Sequence, residues 1–216
     1  MSHTVTLDDN TPSIKYLCEK DKRLAKVISM VGPITYSPHS DDAYVFLIHE
    51  IIEQMLSVKV GNIIYGRLLE LCDGNISPES ISKLTDAEIK STGTANSKVQ
   101  FIRSITSVVE KDELFFDKLS SLSDKEVFDK LTSIRGIGPW TAKMYLMFVL
   151  DRPDILPFED VAFLQGYSWA YKTTDLTPVS VAKKCKKWKP YSSIAARYMY
   201  RALDIGLTKK EFHLYK

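Results

Sequence analysis

The 216 residues carry 29 Lys and Arg against 27 Asp and Glu, a net charge of +2, so overall charge marks neither an acidic tail nor a uniformly basic partner-binding chain. The length suffices for one large domain or two smaller lobes with a real core, and no run approaches the roughly 18 uncharged apolar residues of a membrane span. Cys18, Cys72 and Cys185 lie far apart and Met1-Ser2-His3-Thr4 has neither region of a signal peptide, which argues against a disulfide framework or cysteine metal cluster and predicts a reducing intracellular compartment.

In chain order, a helix is expected over 21–31, stopped by Gly32-Pro33, followed by a short extended segment at Ile34-Thr35-Tyr36. A helix over 41–56 shows Val45, Ile48, Ile52 and Met55 at helical spacing, and after Ser57 the pattern resumes over 58–72. Ser77-Pro78 and the capping box Thr85-Asp86-Ala87-Glu88 open two more helices; 96–111 and 112–119 follow. Ser123-Asp124-Lys125-Glu126 is a further capping box for a helix over 124–132, and Pro139 opens one over 139–150. The last third holds helices over 161–171, 179–185, 192–203 and 209–214. The expected fold is all-α in two lobes.

The segment Ile134-Arg135-Gly136-Ile137-Gly138-Pro139-Trp140-Thr141-Ala142 is the most informative. Gly136 and Gly138 are free to take positive φ, and Pro139 suits a first helical position. The turn is expected to aim backbone N–H groups and a helix N-terminus at one phosphate, with Gly136, Ile137, Gly138 and Thr141 as the contacts. Such a helix–hairpin–helix grips a nucleic-acid backbone without reading bases. Between 172 and 201, Lys172, Lys183, Lys184, Lys186, Lys187, Lys189, Arg197 and Arg201 are opposed by Asp175 alone. A solvated helix face explains such a run by itself; beside the hairpin it reads as an electrostatic track for DNA.

The chain resembles the helix–hairpin–helix DNA glycosylases, and among them the 3-methyladenine DNA glycosylase type. The resemblance rests on 134–148, on Pro157-Phe158-Glu159-Asp160 about twenty residues after the hairpin, and on Trp188-Lys189-Pro190-Tyr191-Ser192-Ser193. It also rests on Glu53-Gln54-Met55-Leu56-Ser57, where glycine is usual at the first position. It implies a six-helix barrel lobe over 40–143 and a second helical lobe of 1–39 with 144–216, with a base held in a cleft between them. Phe163-Leu164-Gln165 also departs from the family pattern, and no cysteine follows Cys185, so no iron–sulfur cluster is expected.

The resemblance assigns Asp160 as the catalytic carboxylate, stabilising the oxocarbenium-like charge at C1′ and orienting water. Asp160 also suits the N-cap of the helix over 161–171, and the two roles are compatible. Glu159 ranks second. Trp140 stands where relatives that also cleave the strand place a Schiff-base lysine, so the reaction is read as monofunctional. Trp140 then serves as a base-stacking wall or as a core pin; Trp188 and Tyr191 are expected to line the base pocket. Gln54 and Met55 are expected to fill the gap left by a flipped base, Met55 alternatively packing in the core. His3, His39, His49 and His213 show no ligand spacing. Neither a cofactor nor a catalytic metal is expected, although a cation is compatible with the Ile134 and Ile137 carbonyls.

The expectation is a monomeric enzyme on double-stranded DNA that removes alkylated purines such as 3-methyladenine and 7-methylguanine, in the cytoplasm or nucleus and off the membrane. The competing readings are a glycosylase for a deaminated or oxidised base, and a non-catalytic DNA-binding protein that keeps only the hairpin.

Overall fold

The computed structural model describes residues 4–39 and 43–215. Thirteen α-helices and one two-stranded sheet make up the regular structure of these residues, and the fold is all-α in class. No helix among them is long and apolar enough to cross a membrane. They divide into two compact units, 1–38 with 151–216, and 39–150. The second division falls after 150 because the hairpin's second helix is one rod to Phe148, and a break at 143 would cut its hydrogen-bond ladder.

The discontinuous unit begins with β1 (Val5–Leu7), paired antiparallel with β2 (Ile34–Tyr36) in the register Val5 to Tyr36 and Leu7 to Ile34. Between them lie α1 (Pro12–Lys20) and α2 (Lys22–Val31). No expected helix covers α1, although Pro12 at its first position and Ile14 and Leu17 on its buried face are the usual signals. Helices α11 (Val161–Tyr171), α12 (Pro178–Cys185) and α13 (Ser192–Asp204) complete the unit. Gly166 lets α11 and α13 touch: a Cβ there would sit 2.8 Å from the Met199 carbonyl oxygen. The helix expected over 209–214 does not form. A 3-10 turn at Leu207–Lys209 is followed by irregular chain, because Trp169 Nε1 donates to the Lys210 carbonyl (2.7 Å) and Phe212 buries edge-on against that indole.

The continuous unit contains α3 (Ala43–Glu53), α4 (Val58–Leu71), α5 (Pro78–Lys83), α6 (Asp86–Ser91), α7 (Asn96–Lys111), α8 (Phe115–Ser120), α9 (Asp124–Thr132) and α10 (Pro139–Phe148). These are eight helices among the described residues where the resemblance implied six; the expected start of α3 at Asp41 lies outside them. The capping boxes at Thr85 and Ser123 form as the sequence indicates, and Ser77 makes a third with Ser80. The core is aliphatic: Leu47, Ile48, Ile51 and Ile52 of α3 meet Ile102 and Ile105 of α7, all fully buried.

One buried carboxylate organises the discontinuous unit. Asp21 caps α2, its Oδ1 accepting from Arg23 N (3.0 Å) and Leu24 N (3.3 Å). Its Oδ2 accepts from the Tyr171 hydroxyl, Trp188 Nε1 (2.9 Å) and Lys187 Nζ (3.0 Å). Burial alone raises the carboxyl's pKa, but the bonds from Tyr171, Trp188 and Lys187 outweigh it and hold Asp21 below its ordinary value. A carboxylate depressed in the folded state adds stability that is present above its unfolded pKa and is lost as pH falls through its folded one. Asp21→Asn is expected to cost roughly 2–4 kcal/mol at neutral pH. Its urea midpoint will fall less steeply than the parent's below about pH 4, as unfolding monitored across a pH series will show.

Candidate active site

Asp160 is buried, 9% exposed, at the N-cap of α11, where Oδ1 accepts from Phe163 N (2.7 Å). The turn before it closes from Asp160 N to the Pro157 carbonyl (3.0 Å), so Pro157 shapes the entry into the helix. Glu159, the neighbour ranked second, is exposed.

The loop that delivers Asp160 is strapped to the start of α13. Ser193 N donates to the Pro153 carbonyl (2.9 Å), and the Ser193 hydroxyl accepts from Ile155 N (2.8 Å). The Ser192 hydroxyl donates to Asp154 Oδ1 (2.5 Å), whose other oxygen lies 3.6 Å from Lys189 Nζ. At the loop's origin Asp151 takes a positive φ of 48°, and its Oδ1 meets Arg197 Nη2 (2.9 Å) and the Tyr36 hydroxyl (3.0 Å). The Arg197 guanidinium lies 3.8 Å over the Tyr36 ring. Burial, with Asp151 beside it, pushes the Tyr36 phenol up to about 12 against the pull of Arg197, so it stays a neutral donor. Of these partners the sequence marks Lys189, Ser192 and Ser193 through the motif and Arg197 through the basic run, while Asp151 and Asp154 carry no signal.

That motif acts differently from the expectation. Trp188 does not line a pocket: it is 0% exposed, tied to Asp21 and edge-on to Phe163. An indole N–H that must be buried needs a partner, and Asp21 supplies it inside the core. Tyr191 is half-buried with its ring edge-on to Tyr16, and keeps an accessible part. Of the other aromatics, Tyr44 is buried against Thr106, and Trp169 is half-buried, packed on Phe212.

In the continuous unit, Gly136 has φ +96°, and a Cβ there would lie 2.1 Å from the Phe101 ring. Gly138 does not take positive φ; it caps α10 at φ −92°, ψ 177°, with nothing within 4 Å of the Cβ position. Lacking a side chain, it offers no cap of its own to the first turn of α10, and leaves room at the helix N-terminus. Two expected phosphate contacts move inward. Ile137 is buried and its N–H closes the turn onto the Ile134 carbonyl (3.0 Å), one of the two carbonyls compatible with a cation. Thr141 is 1% exposed, with its hydroxyl 3.3 Å from Gln54 Nε2.

Gln54, expected beside Met55 in the wedge, here braces the hairpin: Nε2 donates to the Gly136 carbonyl (3.0 Å). Lys98 Nζ secures the same turn from below, on the carbonyls of Ile52 (2.7 Å) and Gln54 (2.6 Å). Met55, next in the chain, is 100% exposed at φ +60°. The core reading of Met55 fails; a bare apolar side chain is held out on a braced turn. Trp140, at the second position of α10, is half-buried.

The basic run is less free than its sequence suggests. Lys172 pairs with Glu211 (2.6 Å), Lys187 with Asp21 (3.0 Å), Lys189 with Asp154 (3.6 Å) and Arg197 with Asp151 (2.9 Å). Lys183, Lys184, Lys186 and Arg201 form no ion pair among the described residues, and the three lysines line, with Ser180 and Lys187, a groove of about 560 Å³.

Residues 48–190 match the HhH-GPD superfamily of base excision DNA repair proteins. The chain is similar to DNA-3-methyladenine glycosylase 1 of Schizosaccharomyces pombe, 28% identical over 194 residues, covering 88% of this chain and 85% of that protein. It resembles the crystal structure of a DNA-3-methyladenine glycosidase from Bacillus halodurans, with a TM-score of 0.84, 30% identity and 97% coverage of both chains. A second likeness is to the Schizosaccharomyces pombe 3-methyladenine DNA glycosylase bound to abasic DNA: TM-score 0.75, 25% identity, 91% of this chain and 98% of that one.

The two hairpin glycines differ in a way stability will register. Gly136→Ala meets both the strained φ and Phe101, and is expected to cost about 2 kcal/mol or more. Gly138→Ala should stay within about 1 kcal/mol of the parent, since its backbone and surroundings accept a Cβ. Equilibrium urea unfolding of the pair measures both.

Proposed function

Because the chain belongs to the HhH-GPD superfamily of base excision DNA repair proteins, we propose that it is a monofunctional DNA glycosylase hydrolysing the N-glycosidic bond of alkylated purines. It acts inside the cell on double-stranded DNA carrying a base of the 3-methyladenine or 7-methylguanine class. The observation that carries the catalytic assignment is Asp160: a buried carboxylate capping α11, on a loop strapped at Pro153, Asp154 and Ile155.

In the reaction the C1′–N bond breaks with its electron pair going to the purine, and water adds at C1′. Positive charge develops on the sugar as the bond lengthens, and a fixed carboxylate lowers that barrier more than it strengthens ground-state binding. The same group orients the water and accepts its proton. An alkylated purine is already cationic and departs without a general acid, so one carboxylate is enough. The hairpin position of the Schiff-base lysine holds Trp140, which cannot form an imine, so the product is an intact strand with an abasic site. Met55 is suited to enter the stack when the base leaves it, as an exposed apolar side chain on a turn that does not yield. The opening at Gly138 and the first turn of α10 receive a backbone phosphate.

Asp160→Asn is expected to abolish release of 7-methylguanine from a defined duplex while duplex affinity stays within about threefold. The parent's product should remain uncut until treated with alkali. Full turnover by Asp160→Asn would move the role elsewhere, and a borohydride-trapped adduct would show an imine where none is expected.

Gly138→Asp tests the phosphate contact with the fold spared. The added carboxylate is expected to weaken damaged and undamaged duplexes alike, and to reduce the log–log salt slope of binding by about 1. Fluorescence anisotropy over a salt series will measure it, and unchanged binding would remove the hairpin from the interface.

A further inference from the structure

Immediately before the Met55 turn, α3 gathers three half-buried side chains that carry metal-ligand atoms. The side-chain ligand atoms of His49, Glu50 and Glu53 all lie within 4.8 Å of one another. His49 Nε2 is 3.7 Å from Glu53 Oε1 and 3.4 Å from Asn62 Oδ1, which comes from α4. Glu53 Oε1 is sealed from solvent and accepts no hydrogen bond among the described residues, a costly state for a carboxylate oxygen. Its seat is a hollow that only glycine leaves: a Cβ on Gly61 would lie 2.7 Å from Glu53 Cγ and 3.1 Å from that oxygen.

We propose that His49, Glu50 and Glu53, with Asn62, bind a divalent transition-metal ion of the zinc type, joining α3 to α4 across the turn that carries Met55. The donor set decides the class of ion. An imidazole nitrogen with two carboxylates and an amide oxygen suits zinc and its neighbours, whereas calcium takes six to eight oxygens and magnesium keeps water and octahedral geometry. The set contains no thiolate, which copper(I) would favour. Two carboxylates also neutralise a doubly charged ion, so it adds no net charge beneath the turn. Ligands about 2.0 Å from a tetrahedral zinc lie roughly 3.3 Å from each other; His49 Nε2 is 3.4 Å from Asn62 Oδ1 and 3.7 Å from Glu53 Oε1, and side-chain rotation brings the His49, Glu50 and Glu53 atoms, within 4.8 Å of one another, to that spacing. The His49 ring is steadied edge-on against Tyr65, 4.8 Å between centroids, which fixes the direction of Nε2.

Glu53 is also the residue that departs from the glycine usual in the resembling family. The departure pairs with Gly61 here, one position gaining a side chain and the facing one lacking it.

The test uses the full chain freed of metal by chelation, titrated with zinc chloride by calorimetry at neutral pH. The expected result is a saturable site of micromolar or tighter affinity in the parent. Glu53→Gln and His49→Asn should each weaken it more than about a hundredfold, beyond the roughly 10–100-fold cost of a lost outer-shell partner. His213→Asn, remote in sequence, should leave it unchanged. Saturating zinc should raise the parent's thermal midpoint and leave that of both variants in place. Amide exchange in residues 54–57 should slow with zinc in the parent alone. Absence of saturable binding below about 1 mM, or parental affinity in either variant, overturns the site. Melting without zinc shows that both variants are folded. If one is not, Asn62→Leu on the exposed face of α4 carries the same expectation, and parental affinity in it is equally fatal.

Discussion

The discontinuous unit depends on one desolvated carboxylate. Asp21 gathers the start of α2, the end of α11 through Tyr171, and the turn after α12 through Trp188 and Lys187. Removing a charge from water is repaid only when its lone pairs are filled, and here backbone N–H groups fill one oxygen while an indole, a phenol and an ammonium fill the other. The catalytic assignment rests on the same helix. Asp160 caps one end of α11, Asp21 holds Tyr171 at the other, and Gly166 seats the middle against α13. A one-ångström error in a catalytic carboxylate is costly, and this helix is held at both ends and at its waist.

The continuous unit solves a different problem, that of presenting an apolar side chain to solvent without letting it collapse. Met55 at φ +60° is strained for a residue with a Cβ, and strain of this kind persists only where its surroundings over-determine it. Gln54 reaches to the Gly136 carbonyl, and Lys98 takes two carbonyls at the end of α3. Gly136 in turn is shaped by Phe101, from the helix that bears Lys98. The Met55 turn and the hairpin are thus one hydrogen-bonded assembly, so the segment proposed to enter the stack and the segment proposed to hold the backbone share a frame.

Much of this is legible in the sequence, for reasons that can be named. Helix starts are, because a capping box needs only residues three apart, as at Thr85 and Ser123. The hairpin is, since Pro139 and the two glycines constrain the backbone locally. The N-cap position of Asp160 is equally local. What fails is inference that needs partners distant in the chain. Trp188 looks like a pocket residue because its hydrogen-bond partner, Asp21, lies 167 positions away. The basic run looks nearly unopposed because Asp21, Asp151, Asp154 and Glu211 fall outside it. Gly138 and Thr141 read as a pair, yet one opens outward and the other is buried beneath Gln54.

The burial of Trp188 changes where selectivity for a damaged base can arise. With that indole in the core, the other two aromatics expected to meet a base, Trp140 in one unit and Tyr191 in the other, are each half-buried. Stacking a cationic purine on one such ring contributes about 0.5–2 kcal/mol when desolvated. Expressed at the transition state, that is roughly two- to thirty-fold in rate. An alkylated purine also leaves as a neutral base from a glycosidic bond already weakened by its charge, a difference the protein need not supply. The single fixed carboxylate matches such a substrate. In the proposed reaction it stabilises the charge on the sugar for any base able to depart unaided, and chemistry then discriminates where recognition is slight. A neutral base would need a proton donated to the ring, a step that the proposed reaction, with Asp160 acting as a carboxylate, does not include. The arrangement therefore fits substrates that bring their own leaving-group activation.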